Sequence, residues 1–269
     1  MPSELRVLSV PVPGVRVLRV SGDHLHSGMK EMYTIGQVEA GRSEWWSGGK
    51  VWSLAPGSFQ LLQPGDVYRD VSRDGPGAVQ IVSLLPSMVE AVTGKIRVRA
   101  RVEAEDPSAA PFRRLHGAVR AGADRFELEV AVAEAIAAFG ALGDAALDHT
   151  RPVRRALELL RERLADTVTL DDLAAHADFD KFHLCRAFRA QIGMPPHAYR
   201  THLRIMRAKE LLAAGAKPSE VAARVGLYDQ SQLNRHFRRI VGTTPARYAA
   251  RRSAERQGSL EPSANLHRG

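Results

Sequence analysis

The sequence predicts a two-domain α+β protein, with a mainly β N-terminal half followed by an all-α C-terminal domain. Three observations support this prediction: short apolar segments separated by Gly and Pro in the N-terminal half, helical periodicity in the remainder, and a net charge that differs between the halves. A chain of 269 residues is long enough to bury two hydrophobic cores.

Strand-like segments fill the chain from Tyr33 to about Val102. Breaks are expected at four turn sequences: Gly48-Gly49, Pro56-Gly57, Pro64-Gly65 and Asp74-Gly75-Pro76-Gly77. Strands that repeat every 8 to 12 residues or so form small barrels or sandwiches. Apolar and basic residues alternate over 95–102, which predicts a strand near the end of this region with one solvent-exposed face. We therefore predict a β-barrel with helices over residues 1–105.

A helical region is expected over residues 106–150. It contains an apolar stripe at i+3 and i+4 steps, formed by Leu128, Val132, Ile136 and Phe139. Such a stripe needs a partner surface. Two partners are open at this stage: a second copy of the chain, which would make these the dimerisation residues, or the barrel of the same subunit.

The excess of positive over negative charge is confined to the C-terminal half. Residues 1–150 hold 16 basic and 18 acidic residues, whereas residues 151–256 hold 21 basic and 11 acidic residues. This asymmetry favours an anionic polymer as partner, with nucleic acid ahead of a membrane surface. No run of about 18 apolar residues predicts a membrane span, and the N-terminus lacks the pattern of a secretory signal. The expected location is therefore the cytoplasm, in association with the nucleoid.

The sequence offers little for metal binding or catalysis. Cys185 is the only cysteine, which excludes an intramolecular disulfide and a multi-cysteine metal site. The pair His24 and His26 lacks further histidine or carboxylate ligands at the expected spacing. Neither a nucleophile–base set nor a phosphate-binding glycine loop is found. We expect no catalytic residues, no metal and no cofactor.

The C-terminal half contains an internal repeat at an offset of 49 residues. Seven residues within sixteen positions recur: Leu184, Arg186, Phe188, Arg189, Gly193, Pro196 and Tyr199 match Leu233, Arg235, Phe237, Arg238, Gly242, Pro245 and Tyr248. Further upstream the offset is 48, so the second copy has one extra turn residue near Tyr228. A repeat of this kind indicates one supersecondary unit used twice.

Local chemistry predicts that each copy is a helix, a turn and a second helix. In the first copy, Thr169 and Asp172 form a capping box for the first helix, and Asp180 caps the second. Asp229 caps the corresponding helix of the second copy. Residues 196–214 predict one continuous helix between the copies, about 28 Å long. Because one turn of B-DNA is about 34 Å, the second helices of the two copies, joined by this connecting helix, could enter successive major grooves and read the bases there.

The outward positions of the two second helices are the candidate DNA contacts. Arg can pair with guanine, Gln with adenine, and an aromatic ring can contact the methyl group of thymine. The expected base-reading residues are Phe182, Arg186, Gln232 and Arg235. Contacts to phosphates or flanking groups are expected from Lys181, Arg189, Arg204, Gln230, Ser231, Asn234, Arg238 and Arg239.

The segment from Gly226 to Arg239, followed by Gly242-Thr243-Thr244-Pro245 and Tyr248, resembles the motif of AraC/XylS regulators. Leu227 stands where that family usually has Phe, and Asp180 where it usually has Ser. The resemblance implies a bacterial-type, sequence-specific regulator of transcription, with a double helix-turn-helix domain over residues 151–252. The Gly, Ser, Pro and Asn of the tail predict disorder over residues 253–269. The partners it implies are double-stranded promoter or operator DNA, a second copy of the chain and RNA polymerase.

The N-terminal half resembles the effector-binding domain of the same family, a cupin-like barrel, through residues 33–41 and 61–68. This resemblance implies a small-molecule effector and dimerisation helices over residues 106–150. All three tryptophans lie in this half, and aromatic walls suit a small organic ligand. The expected effector contacts are Gln37, Trp45, Trp52 and Tyr68, although the aromatic residues could instead pack the core.

Three functions remain open at this stage. The first is a ligand-responsive transcription regulator, in which the barrel senses a small molecule and the helical domain reads DNA. The second is a constitutive DNA binder with a purely structural barrel. The third is a cupin enzyme fused to a DNA-binding module, which would need metal ligands or an acid–base pair that the sequence does not supply.

Overall fold

The computed structural model describes residues 4–94, 96–143 and 149–258. The chain divides into two compact units: the first ends at Thr150 and also includes the short segment Ala190–Gly193, and the second contains the rest of the chain from Arg151 onward. Within these residues, residues 4–150 form eight strands, three α-helices and a short 3-10 helix (Pro107–Ala109), and residues 151–258 form seven α-helices. The α+β class predicted above, with an antiparallel sheet and helices first and an all-helical domain second, is confirmed.

The strands of the first unit form one antiparallel sheet. They are β1 (Glu4–Leu8), β2 (Val15–Gly22), β3 (Ser27–Met29), β4 (Tyr33–Ser47), β5 (Lys50–Leu54), β6 (Phe59–Leu62), β7 (Val67–Leu84) and β8 (Arg101–Val102). Their order is β1-β2-β7-β4-β6-β8, with β3 paired to β7 and β5 paired to β4. In the part of the chain that the structure describes, no pairing joins β8 back to β1, so the barrel is a curved sheet with two edges.

The long pair β4 and β7 determines the curvature of the sheet. Its register shifts at three places along β4, between residues 38 and 45, and such β-bulges bend a strand pair. The predicted break at Asp74-Gly75-Pro76-Gly77 is wrong, because β7 runs through it. Instead, Gly77 of this segment lies opposite Gly41 of β4 at a β-bulge. Gly41 has a φ of 80°, and a Cβ there would lie 2.9 Å from the Cα of Gly77.

The strand predicted over residues 95–102 is mostly wrong. Only β8 pairs as a strand, with β6, and Lys95 lies outside the described residues. The preceding segment is held differently, since the N–H of Val98 donates to the side-chain Oε1 of Gln63 at 3.0 Å. A side-chain acceptor thus replaces the neighbouring strand that the alternating pattern implied.

Both faces of the sheet carry buried apolar residues. On one face lies the main core, which includes Leu61 and packs against α1 (Pro86–Thr93), α2 (Ala110–Ala121) and α3 (Arg125–Leu142). A second cluster contains Leu62, Trp45, Leu54 and Val38. Adjacent residues of a strand point to opposite faces, so Leu61 and Leu62 assign the two clusters to opposite sides of the sheet.

The proposed dimerisation stripe on α3 is corrected by the structure. Leu128, Val132, Ile136 and Phe139 are all buried in the main core, where Phe139 packs edge-on against Tyr33. The stripe therefore packs on the sheet of its own subunit, which was the alternative left open above. These four side chains are not available to a second copy.

The second unit is a set of seven helices in which the repeat is visible. The helices are α4 (Arg151–Glu162), α5 (Leu170–Ala177), α6 (Lys181–Ile192), α7 (Pro196–Ala213), α8 (Pro218–Arg224), α9 (Gln230–Val241) and α10 (Pro245–Gly258). Phe188 of α6 meets Tyr199 at 5.8 Å between ring centroids, and the equivalent Phe237 of α9 meets Tyr248 at 5.5 Å. Each copy of the repeat therefore builds the same aromatic corner.

The connecting helix α7 ends one residue earlier than expected, and its length is about 27 Å. Its buried positions include Ile205, Ala208 and Leu212, as part of the core around α8, α9 and α10. The last helix α10 continues to Gly258, beyond the predicted boundary at residue 252. The rest of the predicted tail, residues 259–269, lies outside the described residues.

Candidate DNA-binding and effector sites

The two second helices, α6 and α9, begin at aspartate caps. Asp180 accepts hydrogen bonds from the N–H groups of Phe182 and His183 at 3.0 and 2.9 Å, and Asp229 accepts one from the N–H of Gln232 at 2.6 Å. The bonds from His183 and Phe182 hold the pKa of Asp180 below its usual value. The caps therefore determine where each helix starts and which side chains lie in its first turn.

Arg186 on α6 and Arg235 on α9 are exposed at equivalent positions, as the offset of 49 requires. Within residues 4–94, 96–143 and 149–258, neither side chain has a hydrogen-bond or ion-pair partner. The same holds for Arg189 and Arg238, one turn further along each helix. Four guanidinium groups are thus unpaired on the exposed sides of the two helices.

Other predicted contacts already have intramolecular partners. Lys181 donates to Asp171 at 2.8 Å, and Arg239 lies 3.2 Å from Nδ1 of His236. The Oε1 of Gln232 accepts from the N–H of Tyr228 at 2.8 Å, so it helps to cap α9. Phe182 is 68% exposed, and the remaining polar candidates are exposed in or beside the first turn of α9: Gln230, Ser231 and Asn234.

The proposed phosphate contact at Arg204 is corrected. Its guanidinium donates to the backbone oxygens of Leu164 and Asp166 at 2.9 and 3.0 Å, so Arg204 holds the segment between α4 and α5 against α7. Burial lowers its pKa to about 10, with the charge of Arg200 adding to the effect. Sequence alone could not separate this inward arginine from the outward ones.

Exposed aromatic residues before the two reading helices were not among the predicted contacts. Tyr228 is 94% exposed and Phe179 is 43% exposed, and the two are again 49 residues apart. Each directly precedes the capping aspartate of its helix. The repeat offset was the signal that could have identified them, because it places aromatic residues at matching turns.

Three of the four predicted effector contacts lie together. Trp45 is fully buried in the second cluster of the sheet, and Trp52 and Tyr68 pack against that cluster. Gln37 is a correction: its side chain accepts from Arg120 of α2 at 2.6 Å, on the face that the helices cover. The register of β4 thus separates Gln37 from the aromatic cluster by the thickness of the sheet.

Lys30 lies against Tyr68 at this aromatic cluster, and it is not among the effector contacts expected from the sequence. Its Nζ lies 4.4 Å from the ring centroid of Tyr68, a cation–π contact. Burial lowers the pKa of Lys30 to about 8, although Asp70 opposes the shift, and burial raises the pKa of Tyr68. The indole N–H of Trp45 is buried and donates to no acceptor in the described part of the chain. The cluster therefore offers a desolvated cation and a free donor beside apolar rings.

A metal site finds no support in the described residues, where no three His, Cys, Asp or Glu side chains converge. The backbone N–H of His26, one of the histidines considered above, donates to Asp70 at 3.0 Å, and that carboxylate also accepts from Arg73 at 2.8 Å. Over the same residues, no helix is long and apolar enough to cross a membrane.

Comparison with known proteins matches both units. Residues 19–139 match a family described as an AraC-like ligand binding domain, and residues 173–251 match a helix-turn-helix domain. A stretch of 81 residues, 30% of this chain, is 40% identical to the HTH-type transcriptional regulator YbfI of Bacillus subtilis. That stretch spans only 30% of YbfI.

Two further proteins extend the comparison. Over 97 residues, 36% of this chain and 72% of the relative, the sequence is 30% identical to the HTH-type transcriptional activator AarP of Providencia stuartii. The crystal structure of ToxT from Vibrio cholerae is similar in fold, with a TM-score of 0.50 at 13% identity, over 88% of this chain and 96% of ToxT. Regulators of this kind are not enzymes. The chain belongs to the AraC family of transcriptional regulators, with an AraC-like ligand-binding domain ahead of a DNA-binding helix-turn-helix domain.

Proposed function

We propose that this regulator reads its promoter with α6 and α9, using Arg186 and Arg235 as equivalent guanine contacts. The observation that carries the proposal is the pair of exposed, unpaired guanidinium groups at matching positions of two capped helices. Phe182 and Gln232 complete the base-reading set, Gln232 through its amide N–H groups. Phosphates are bound by Arg189, Arg238 and Arg239 and by the polar residues at the start of α9, and Lys181 contributes by exchanging Asp171 for a phosphate.

Alanine at Arg186 or at Arg235 should each weaken binding to the cognate site by about 1–3 kcal/mol. The loss should be small on random DNA, because a base contact is sequence-specific. The cognate site is first obtained by sequencing the DNA fragments that the purified protein retains, and affinities are then measured by fluorescence anisotropy. Arg189→Ala is the matched control and should weaken both DNAs alike. Equal losses on both DNAs for Arg186→Ala and Arg235→Ala would reassign these residues to phosphate contacts.

We propose that the protein dimerises through the outer side of α3. The side chains of Phe126 and Val130 are 76% and 44% exposed, and Ala133 and Ala137 follow them at exposed positions. The spacing of four, three and four residues is that of a coiled-coil seam. Since the opposite side of α3 already packs on the sheet, this helix is apolar on two sides, and a second copy of α3 is the partner that would cover the outer one.

Phe126→Glu should shift the protein from dimer to monomer, because a carboxylate in the seam would be buried without a partner. Sedimentation equilibrium at micromolar concentration measures the change, with at least about a 10-fold weaker association expected. Glu127→Gln, on an exposed position of α3 outside the seam, should leave the association unchanged. A wild-type chain that is monomeric throughout this range would contradict the proposal.

We propose that the effector is a small aromatic or apolar carboxylate held by the cluster of Trp45, Trp52, Tyr68 and Lys30. The rings supply apolar contact area, and the desolvated ammonium group of Lys30 supplies the counter-charge. Ligand binding would then shift the regulator between states, provided that one state binds the ligand more tightly. Contact with RNA polymerase and a cytoplasmic, nucleoid-associated location stay predictions from the family.

Lys30→Met should weaken the binding of aromatic carboxylates by at least about 10-fold, because a charge-assisted hydrogen bond is lost. The three tryptophans all lie in this domain, so intrinsic fluorescence reports the titration. A panel of aromatic carboxylates is compared with the matching amides. Lys50→Met, at an exposed position of β5, is the control and should bind as the wild type does. An equal loss for carboxylates and amides in Lys30→Met would rule out the charge pairing.

A further inference from the structure

A cavity of about 290 Å³ lies within the first helix-turn-helix unit. Its walls come from α4, α5, α6 and α7 and are mostly apolar, with Leu160, Leu173 and Pro196 among them. Cys185 of α6 and Arg200 of α7 also line it. A volume at the lower end of the range for ligand pockets suits a molecule of about the size of benzoate.

Arg200 is the polar group of interest in this cavity. One of its terminal nitrogens, Nη1, donates to the backbone oxygen of Val168 at 3.2 Å. Its Nε and Nη2 are shielded from water and donate to no acceptor in the described part of the chain. Burial lowers the pKa of Arg200, although Asp166 opposes the shift. These two nitrogens have given up hydration without gaining an acceptor, which is costly unless a ligand supplies one.

The start of α7 adds a second attraction for an anion. This helix of 18 residues begins at Pro196, and both Pro195 and Pro196 line the cavity. The N-cap residue Pro195 supplies no side-chain acceptor to the first turn. The positive end of the helix dipole therefore acts on the cavity in the same sense as Arg200.

We propose that this cavity binds a small amphipathic carboxylate, with Arg200 as the carboxylate-binding residue and the leucine and proline side chains around its apolar body. A short rotation of the guanidinium group turns its unpaired N–H groups to the ligand. Inorganic phosphate lacks the apolar body that the leucine and proline side chains would contact, so it is expected to bind more weakly than an amphipathic carboxylate. The ligand contacts α6, the helix that also carries Phe182 and Arg186, so the site lies within the DNA-reading domain and is separate from the cluster around Lys30.

The single cysteine provides a test at the site itself. Cys185 is half-buried and lines the cavity, so an occupant should block its alkylation by iodoacetamide. The full-length native protein is alkylated with and without benzoate as probe. Benzoate at about ten times its dissociation constant should slow the reaction about 10-fold. Benzyl alcohol and inorganic phosphate, which keep only the apolar body or only the charge, should not slow it.

Variants separate this site from the one in the sheet domain. Arg200→Gln should abolish protection by benzoate, whereas Arg207→Gln, an exposed arginine on the same helix paired with Glu210, should retain it. Lys30→Met should also retain it. Protection by benzyl alcohol equal to that by benzoate, protection that persists in folded Arg200→Gln, or no protection by benzoate would overturn the proposal. If Arg200→Gln does not fold, as judged by circular dichroism, the comparison of the three probes on the native chain decides.

Discussion

Gly226→Ala is expected to destabilise the DNA-binding domain by about 3 kcal/mol. Gly226 has a φ of 74°, and a Cβ there would lie 2.6 Å from the carbonyl carbon of Ala165 in the segment before α5. Because the obstacle is backbone, no side-chain rotation can relieve the overlap. Urea unfolding followed by far-UV circular dichroism measures the loss, since most helices lie in this unit.

A second glycine provides the matched control for Gly226. Gly215 has a φ of 95°, but a Cβ there would meet nothing within 4 Å. Gly215→Ala should therefore cost only the left-handed backbone strain, about 1 kcal/mol. Tryptophan fluorescence, which reports the first unit, should show an unchanged transition in both variants. Equal losses in the two variants would show that contact with Ala165 contributes nothing.

Stability of the sheet domain is expected to fall as the pH falls below about 6.5, because of His116. This side chain is fully buried between α2 and the sheet, with Nδ1 2.7 Å from the Oε1 of Gln80. Burial lowers its pKa from 6.5 to about 3, and the nearby charge of Arg120 adds to the shift. Between these two values the unfolded chain takes up a proton that the folded chain refuses. The free energy of unfolding should therefore fall by about 1.4 kcal/mol per pH unit well below pH 6.5.

A variant of His116 separates its contribution to the pH dependence of stability from the contribution of the carboxylates. His116→Asn keeps a neutral donor near Gln80, and its stability should depend less on pH than that of the wild type between pH 6.5 and 5. His24→Asn, at an exposed position, should follow the wild-type curve. Urea unfolding followed by tryptophan fluorescence gives both curves. Parallel curves for the wild type and His116→Asn would show that His116 is protonated in the folded state.

Local features of the second unit were predictable because their interactions span few residues. The capping box of Thr169 and Asp172 is present in the structure, with both of its hydrogen bonds. The repeat predicted that Phe188 and Phe237 are equivalent, and both are fully buried. The outward positions of Arg186 and Arg235 followed from the same periodicity. The sequence by itself therefore determined the duplicated unit, the two helices proposed to read DNA, and the family.

Only the tertiary structure decided which face of a helix or strand is buried and which residues cover it. A helix that is apolar on two sides, as α3 is, gives no local sign of which side meets the sheet. The inward turn of Arg204 depends on carbonyl groups forty residues away in the chain. Gln37 and Trp45 lie on one strand, yet the pleat and three register shifts place only Trp45 in the cluster against which Tyr68 packs. Contacts between residues distant in sequence leave no periodic pattern, and for this reason only the tertiary structure brings together the side chains that are proposed to bind the effector.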